Sequence, residues 1–329
     1  MRPFLLFTIA LASQSIAWPQ ISDPIRPTIR IDLNASLGPN ALPAPQGEGL
    51  AVRNGRFAAV LCPDPNGRNC WLTYSDTEGA QTWSKPLDDA EFLDLKLLNS
   101  GSVSILTADT RPESHPQLTQ FSPDGRSIGG ATRFQRSHRI ASRGEVVVGV
   151  ARQGAVVAET GGQLDGSVPD IPDFDVSDVF TAETSPNHDS LYLIDRSSMK
   201  VALTSKGKVA LFVVDHPLVE QSRRYYSAST QPGHKPVLAQ AATVSQNGDV
   251  YFMLSGVSVK AGIPILIMRP GSPGRTTILR VAISDITDDR TRAGFYLLPR
   301  AIAVDAGMLF LMDATGRVFG YPLPVGQQN

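Results

Sequence analysis

The sequence predicts an all-β fold, a six-bladed β-propeller closed by an N-terminal strand, on three observations. A strand–turn–strand unit recurs six times along the chain. No segment sustains the 3.6-residue apolar period of a helix, so helix content is expected to be small. The composition favours turns, with 28 Gly and 25 Pro in 329 residues and only 19% charged side chains.

The elements follow in chain order. Arg2, the apolar stretch from Phe4 to Ala12, and the small residues Ser15 and Ala17 at the −3 and −1 positions of a cleavage site form the pattern of a secretory signal peptide over residues 1–17. The run is too short to span a bilayer and no later run is longer, so the expected location is secreted or periplasmic, with no transmembrane segment. Pro27 to Leu33 alternates apolar and polar residues as a strand does, and is expected to supply the outer strand of the final blade. Residues 18–49 thus comprise this strand and a Pro/Gly-rich linker from Gly38 to Gly49, and the propeller occupies 50–326.

The repeat copies turn at Gly55, Gly101, Gly144, Asp189, Gly248 and Gly307, roughly 50 residues apart, the length of a four-stranded blade. Each pairs two apolar runs across a residue that tolerates positive φ. One hairpin cannot bury both its faces, whereas radial stacking buries them all, so inner strands such as Val250–Leu254 and Met308–Met312 are apolar throughout. A β-sandwich or solenoid is the alternative, and six copies of this length fit a closed ring better.

The two cysteines, Cys62 and Cys70, flank Pro63–Asn69, which is dense in turn formers, with strand-like runs on either side. Facing each other across a hairpin they are expected to form a disulfide, which an exported protein keeps. With no histidine nearby they do not complete a zinc site.

Lys plus Arg number 30 against 31 Asp plus Glu, which gives no electrostatic reason to expect nucleic acid. None of the five histidines has a partner at metal-ligand spacing, no G-x-S-x-G elbow occurs, and no phosphate-cradling glycine loop precedes a helix. Asp173, Asp175 and Asp178, with Asp165 and Asp170 before them, make an acidic loop that lacks the central Gly and closing Glu of an EF-hand. No metal site and no cofactor are expected. The two widest repeat spacings hold the longest insertions, and His216–Pro236 contains Arg223, Arg224, Tyr225 and Tyr226. Read as a long loop on a rigid scaffold, these four are the candidate binding residues, since Arg and Tyr are favoured at contact hot spots.

At the level of single blades the sequence resembles several propeller families. Pro299-Arg300-Ala301-Ile302-Ala303-Val304-Asp305, followed by MLFLMDATGRVFGYPL, resembles an NHL-type repeat, and Val244–Phe252 looks like another. Phe121–Arg126 is similar to the turn of TolB-type propellers. Ser75, Gly79, Thr82 and Trp83 resemble an Asp-box of the sialidase propellers, with Thr77 at the Asp position and Asp76 one residue early. Gly47-Glu48-Gly49 resembles the segment of gluconolactonase-like propellers that implies a metal-ligating Glu. That family's last-blade Asp ligand matches Arg300, and arginine cannot ligate a divalent cation.

Two functions are compatible with this reading. One is a monomeric binding or scaffolding module for a protein, peptide or glycan. The other is a hydrolase or lyase acting on sugars or lactones through carboxylates around the central channel, where scattered residues converge without a linear motif.

Overall fold

The computed structural model describes residues 23–42, 46–63, 69–76, 81–87, 90–109, 115–133, 137–151, 156–158, 171, 173–176, 179–184, 190–205, 208–229, 235–257, 262–270, 276–282 and 299–324. Residues 1–17, expected to be a signal peptide, lie outside them. So do Asp165, Asp170 and Asp178 of the acidic loop.

The described elements begin with β1 (Ile29–Asp32) and a single helical turn, α1 (Leu33–Ser36), capped by the Asp32 carboxylate, which accepts from Ala35 N at 2.8 Å. Antiparallel sheets follow: β2 (Gln46–Arg53), β3 (Arg56–Cys62), β4 (Cys70–Ser75) and β5 (Gln81–Leu87); then β6 (Ala90–Leu97), β7 (Val103–Asp109), β8 (Gln117–Phe121) and β9 (Thr132–Arg133). The third sheet holds β10 (Ser137–Arg143), β11 (Val146–Ala151) and β12 (Val156–Ala158), and the fourth β13 (Val179–Thr184), β14 (Leu191–Asp195), β15 (Lys200–Ser205) and β16 (Lys208–Val213). After helix α2 (Pro217–Ser229) come β17 (Ala239–Val244), β18 (Val250–Leu254), β19 (Ile263–Met268) and β20 (Thr276–Val281). The last sheet is β21 (Ala301–Asp305), β22 (Met308–Met312) and β23 (Arg317–Pro322), with β1 as its fourth strand. The expectation of six blades is thereby corrected to five complete four-stranded blades, because the sheet β10–β12 has three strands among the described residues.

Each sheet's first strand touches the first strand of the next, in the cycle β2, β6, β10, β13, β17, β21 and back to β2. This closed ring is the β-propeller arrangement. Its core lies between the sheets, and alternation within a strand explains why. In β3, Phe57, Ala59 and Leu61 pack with Ala303, Phe310 and Met312 of the last sheet. The intervening Ala58, Val60 and Cys62 pack with Leu95, Val103 and Ile105 of the second. One strand therefore serves two interfaces, which requires apolar residues on both faces. The inner hairpins at Gly55, Gly101, Gly144, Gly248 and Gly307 turn where the repeats predict, and the predicted turn at Asp189 lies outside the described residues. Asn54-Gly55 and Ala306-Gly307 carry positive φ at both turn positions (50° and 69°, 46° and 74°), as a two-residue hairpin matching strand twist needs.

β1 runs antiparallel to β23, pairing Ile29 with Gly320 and Asp32 with Arg317, so the N-terminal strand closes the last blade as its alternation suggested. The segment before it reaches further than the sequence indicated. Ile25 N–H donates to Arg280 O at 2.8 Å and Ala282 N–H donates to Ile25 O at 2.9 Å, tying the chain start to β20 of the preceding blade. Cys62 and Cys70 are fully buried and disulfide-bonded, with Cα atoms 4.0 Å apart across the β3–β4 connection.

Two expectations are corrected. The end of the predicted linker, Gln46–Gly49, is strand, paired with Val60–Cys62. Arg223–Tyr226 belong to the 13-residue helix α2, not to a loop. Pro217 starts that helix without losing a needed N–H, His216 Nδ1 accepts from Leu218 N at 3.1 Å, and Glu220 bridges Arg223 at 2.6 Å and Arg224 at 3.4 Å.

Deleting residues up to Asn34 removes the buried Ile31 and Leu33 and the strap on β20. Each such side chain contributes about 1.5–3 kcal/mol, so the melting temperature should fall by roughly 10 °C or more, and an unchanged melt would contradict ring closure by β1. Replacing Cys62 and Cys70 by Ser should lower unfolding free energy in urea by about 2–3 kcal/mol, the entropy of reopening a short loop.

Candidate functional site

The inner strands enclose a polar cavity of about 180 Å³ along the ring axis. Their register explains what faces it. The pairing of inner strand with second strand shifts at Glu48, Leu93, His138, Phe180 and Gln240, each near the start of its strand. A bulged residue is left out of the ladder and its strand bends, which re-aims side chains. Recurring near the starts of five inner strands, the bulges place Glu48, Leu93 and Phe180 on the cavity lining at one end of the channel. Glycines permit the close approach. A Cβ on Gly47 would stand 2.8 Å from Asp313 O, and one on Gly49 only 2.5 Å from the Phe92 ring. Gly47-Glu48-Gly49 is thus a strand start with Glu48 at the mouth.

The charged groups of the channel are matched to one another. Glu48 Oε1 lies 3.6 Å from Arg300 Nη1, so the two positions that would hold metal ligands in the gluconolactonase-like pattern form an ion pair. Burial pushes the Glu48 carboxyl above the usual range, with Arg300 opposing. Deeper in, Lys96 is 8% exposed and its Nζ lies 2.5 Å from Glu183 Oε1. Burial alone would lower the Lys96 pKa, but the charges of Glu183 and Asp94 outweigh it and hold it above the ordinary value. Asp94 accepts from the N–H groups of Leu95 and Ile140, each at 2.8 Å. Asp305 accepts from Gln246 Nε2 at 3.1 Å and Gly55 N at 3.3 Å, locking three hairpin ends together. Arg139 donates to the carbonyls of Phe180 (2.6 Å), His138 (2.6 Å) and Leu93 (3.1 Å).

The candidate binding residues stand on α2, which follows β16 and precedes β17, and so caps the same end of the ring as the bulges. Arg223 and Arg224 are exposed and share Glu220, and Tyr225 is 56% exposed. Tyr226 is partly buried against the core between the fourth and fifth blades, while Val219 and Ser222 are buried on the same helix face. The sequence grouped four residues that the helix divides. Of the resemblances, Trp83 of the Asp-box-like segment stacks on Tyr74 at 5.2 Å and donates from Nε1 to Pro123 O at 3.0 Å, inside the TolB-like turn. Through this contact Trp83 of the first blade packs on the Phe121–Arg126 turn of the second. His138 is buried with Nε2 3.1 Å from Val179 O. Asp175 pairs with Lys235 at 3.3 Å, and no group of metal-ligating side chains occurs among the described residues.

Of the channel set of Glu48, Asp94, Lys96, Arg139, Glu183, Arg300 and Asp305, the sequence reading singled out Glu48 and Arg300 through the gluconolactonase-like resemblance, quoted Asp305 within a repeat motif, and missed Asp94, Lys96, Arg139 and Glu183. The available signal was a charged residue within the first, otherwise apolar strand of a repeat, as in Lys96 of LKLL and Glu183 of TAET.

No family model matches the chain, and no curated protein does. Among solved structures, a protein of unknown function from Bacteroides thetaiotaomicron aligns with a TM-score of 0.54 and 12% identity, over 84% of this chain and 69% of that one. Virginiamycin B lyase from Staphylococcus aureus aligns at 0.47 and 12%, over 85% and 95%. A chain of the mitotic checkpoint complex aligns at 0.48 and 10%, over 98% and 99%. Likeness at these identities concerns the fold: the chain resembles repeat-built β-propellers, as its blade motifs indicated. No helix among the described residues is long and apolar enough to cross a membrane.

Lys96→Met leaves the Glu183 carboxylate buried without its cation, and should cost about 3–5 kcal/mol in urea unfolding, with Lys96→Met plus Glu183→Gln costing less than the sum of the singles. Glu48 keeps its proton to higher pH folded than unfolded. As pH rises through that window the native protein should therefore lose stability relative to Glu48→Gln, and parallel melting curves against pH for the two proteins would exclude this.

Proposed function

We propose that this chain is an exported, monomeric propeller that binds a protein, peptide or glycan on the face capped by α2. One observation carries the reading. Each described carboxylate of the channel already has its charge answered, Glu48 by Arg300, Glu183 by Lys96, and Asp94 and Asp305 by N–H donors. A general acid–base pair needs a carboxyl free to exchange a proton with substrate. Binding needs only a rigid frame and exposed contact groups, and α2 offers Arg223, Arg224 and Tyr225 on such a frame. The buried disulfide fits an oxidising compartment, which supports export.

The raised pKa of Glu48 at the edge of a polar cavity favours the second reading, a hydrolase or lyase acting on sugars or lactones. Under that reading Glu48→Gln abolishes turnover while leaving ligand capture intact.

Capture from the native extracytoplasmic fraction, followed by affinity measurement with the recovered ligand, separates the roles on α2. Tyr225→Ala should weaken binding about tenfold or more without lowering the melting temperature. Tyr226→Ala should instead lower stability by about 1–3 kcal/mol through the core it packs on. Unchanged affinity for Tyr225→Ala would refute the α2 face as the binding surface.

A further inference from the structure

Arg196 stands in the turn between β14 and β15, at the same end of the ring as Arg139 and α2. Its guanidinium carbon lies 4.1 Å from the Phe180 ring centroid, and that of Arg139 lies 5.5 Å from the same centroid. Two guanidinium groups thus share one aromatic ring at the channel mouth. Their surroundings differ. Arg139 is spent on three backbone carbonyls. The Arg196 guanidinium has no hydrogen-bond acceptor among the described residues, yet none of its nitrogens is sealed from water. The adjacent Asp195 is buried and its carboxylate accepts from Ser197 N, Ser198 N and Ser198 Oγ. Tyr226 of α2 is the other group close enough to influence Arg196. Burial and the neighbouring Arg139 both disfavour the Arg196 charge, with Asp195 and Tyr226 opposing, so the Arg196 cation is incompletely compensated.

We propose that Arg196, stacked on Phe180 beside Arg139, is the anchor of an anion site that takes the carboxylate of a small ligand. A planar guanidinium with donors to spare matches a carboxylate through two parallel hydrogen bonds. The adjoining cavity of about 180 Å³ admits a small molecule or a single substituent, below the roughly 300–1,000 Å³ of sites that enclose drug-sized ligands. Glu48, Asp94, Glu183 and Asp305 line that cavity together with Arg53, Lys96, Arg139 and Arg300, so it carries no positive excess to hold a doubly charged anion, and one unpaired guanidinium suits a monoanionic carboxylate better than phosphate. This deepens the binding reading above and rests on it, by naming the chemistry that the α2 face recognises.

The test is calorimetric titration of the full-length chain with D-glucuronate, with D-glucose and inorganic phosphate as comparisons, at low and high salt. Glucuronate should bind with a Kd in the millimolar range or tighter, weaken with salt, and exceed both glucose and phosphate. Arg196→Gln should weaken it at least tenfold with an unchanged melting temperature, and Arg196→Lys should fall between. Absence of glucuronate binding at millimolar concentration, equal binding of glucose, stronger binding of phosphate, or an unaffected Arg196→Gln would each overturn the proposal. Should Arg196→Gln fail to fold, Arg196→Lys against wild type decides in the same way. Capture of a macromolecular ligand that depends on Tyr225 but not on Arg196 would refute this site while leaving the binding reading intact.

Discussion

The pairing of β1 with β23 holds the rest of the molecule in place. A blade is a small sheet with two apolar faces, and it is stable only when both neighbours cover it. An open row of such sheets would expose two faces at its ends. The chain avoids this by returning its first strand to its last sheet, so that Ile31 and Leu33 join Phe310 and Val318 in one cluster with Phe57 and Leu61 of the first blade. The perpendicular rings of Phe57 and Phe310, 5.2 Å apart, lie at this seam. The attachment of Ile25 to β20 widens the clasp to the preceding blade.

Closure dictates the site. Six inner strands packed around an axis bring their side chains into a confined channel where water screens charge less than on the surface, so a charge placed there needs a partner. Lys96 with Glu183, Glu48 with Arg300, and the N–H groups around Asp94 meet that demand. These partners come from different blades, so the pairs also fix the angular order of the ring. The bulges near the strand starts then distinguish one mouth from the other, and α2 caps that end. Under the proposed reading, the frame's charges and the recognition surface are therefore divided by depth. The interior is electrostatically settled, and the outer rim keeps exposed arginine and tyrosine side chains.

Much of this was legible in the sequence. Hairpins at Gly55, Gly101, Gly144, Gly248 and Gly307 follow from positive φ at those turns. The disulfide follows from two cysteines astride a turn, and the closing strand from the alternation of Ile29, Ile31 and Leu33. Helix α2 escaped because its inward positions are Val219, Ser222 and Tyr226. Ser222 is buried by donating to the carbonyls of Ser255 (2.5 Å) and Leu238 (3.3 Å), so a polar residue interrupts the apolar period. Gln46–Gly49 resembled a linker because its glycines answer neighbouring chains and not a turn. The channel set escaped for a deeper reason: its members are scattered over five blades, and only the closed ring makes them neighbours.

The central claim is that the channel's charges serve the frame and its rim serves recognition. A crystal structure grown in millimolar magnesium or calcium tests it most directly. The account predicts Glu48 turned to Arg300 and Lys96 to Glu183, with no cation between the inner strands. A divalent ion ligated by Glu48, with Arg300 swung away, would contradict it and make the channel an active site.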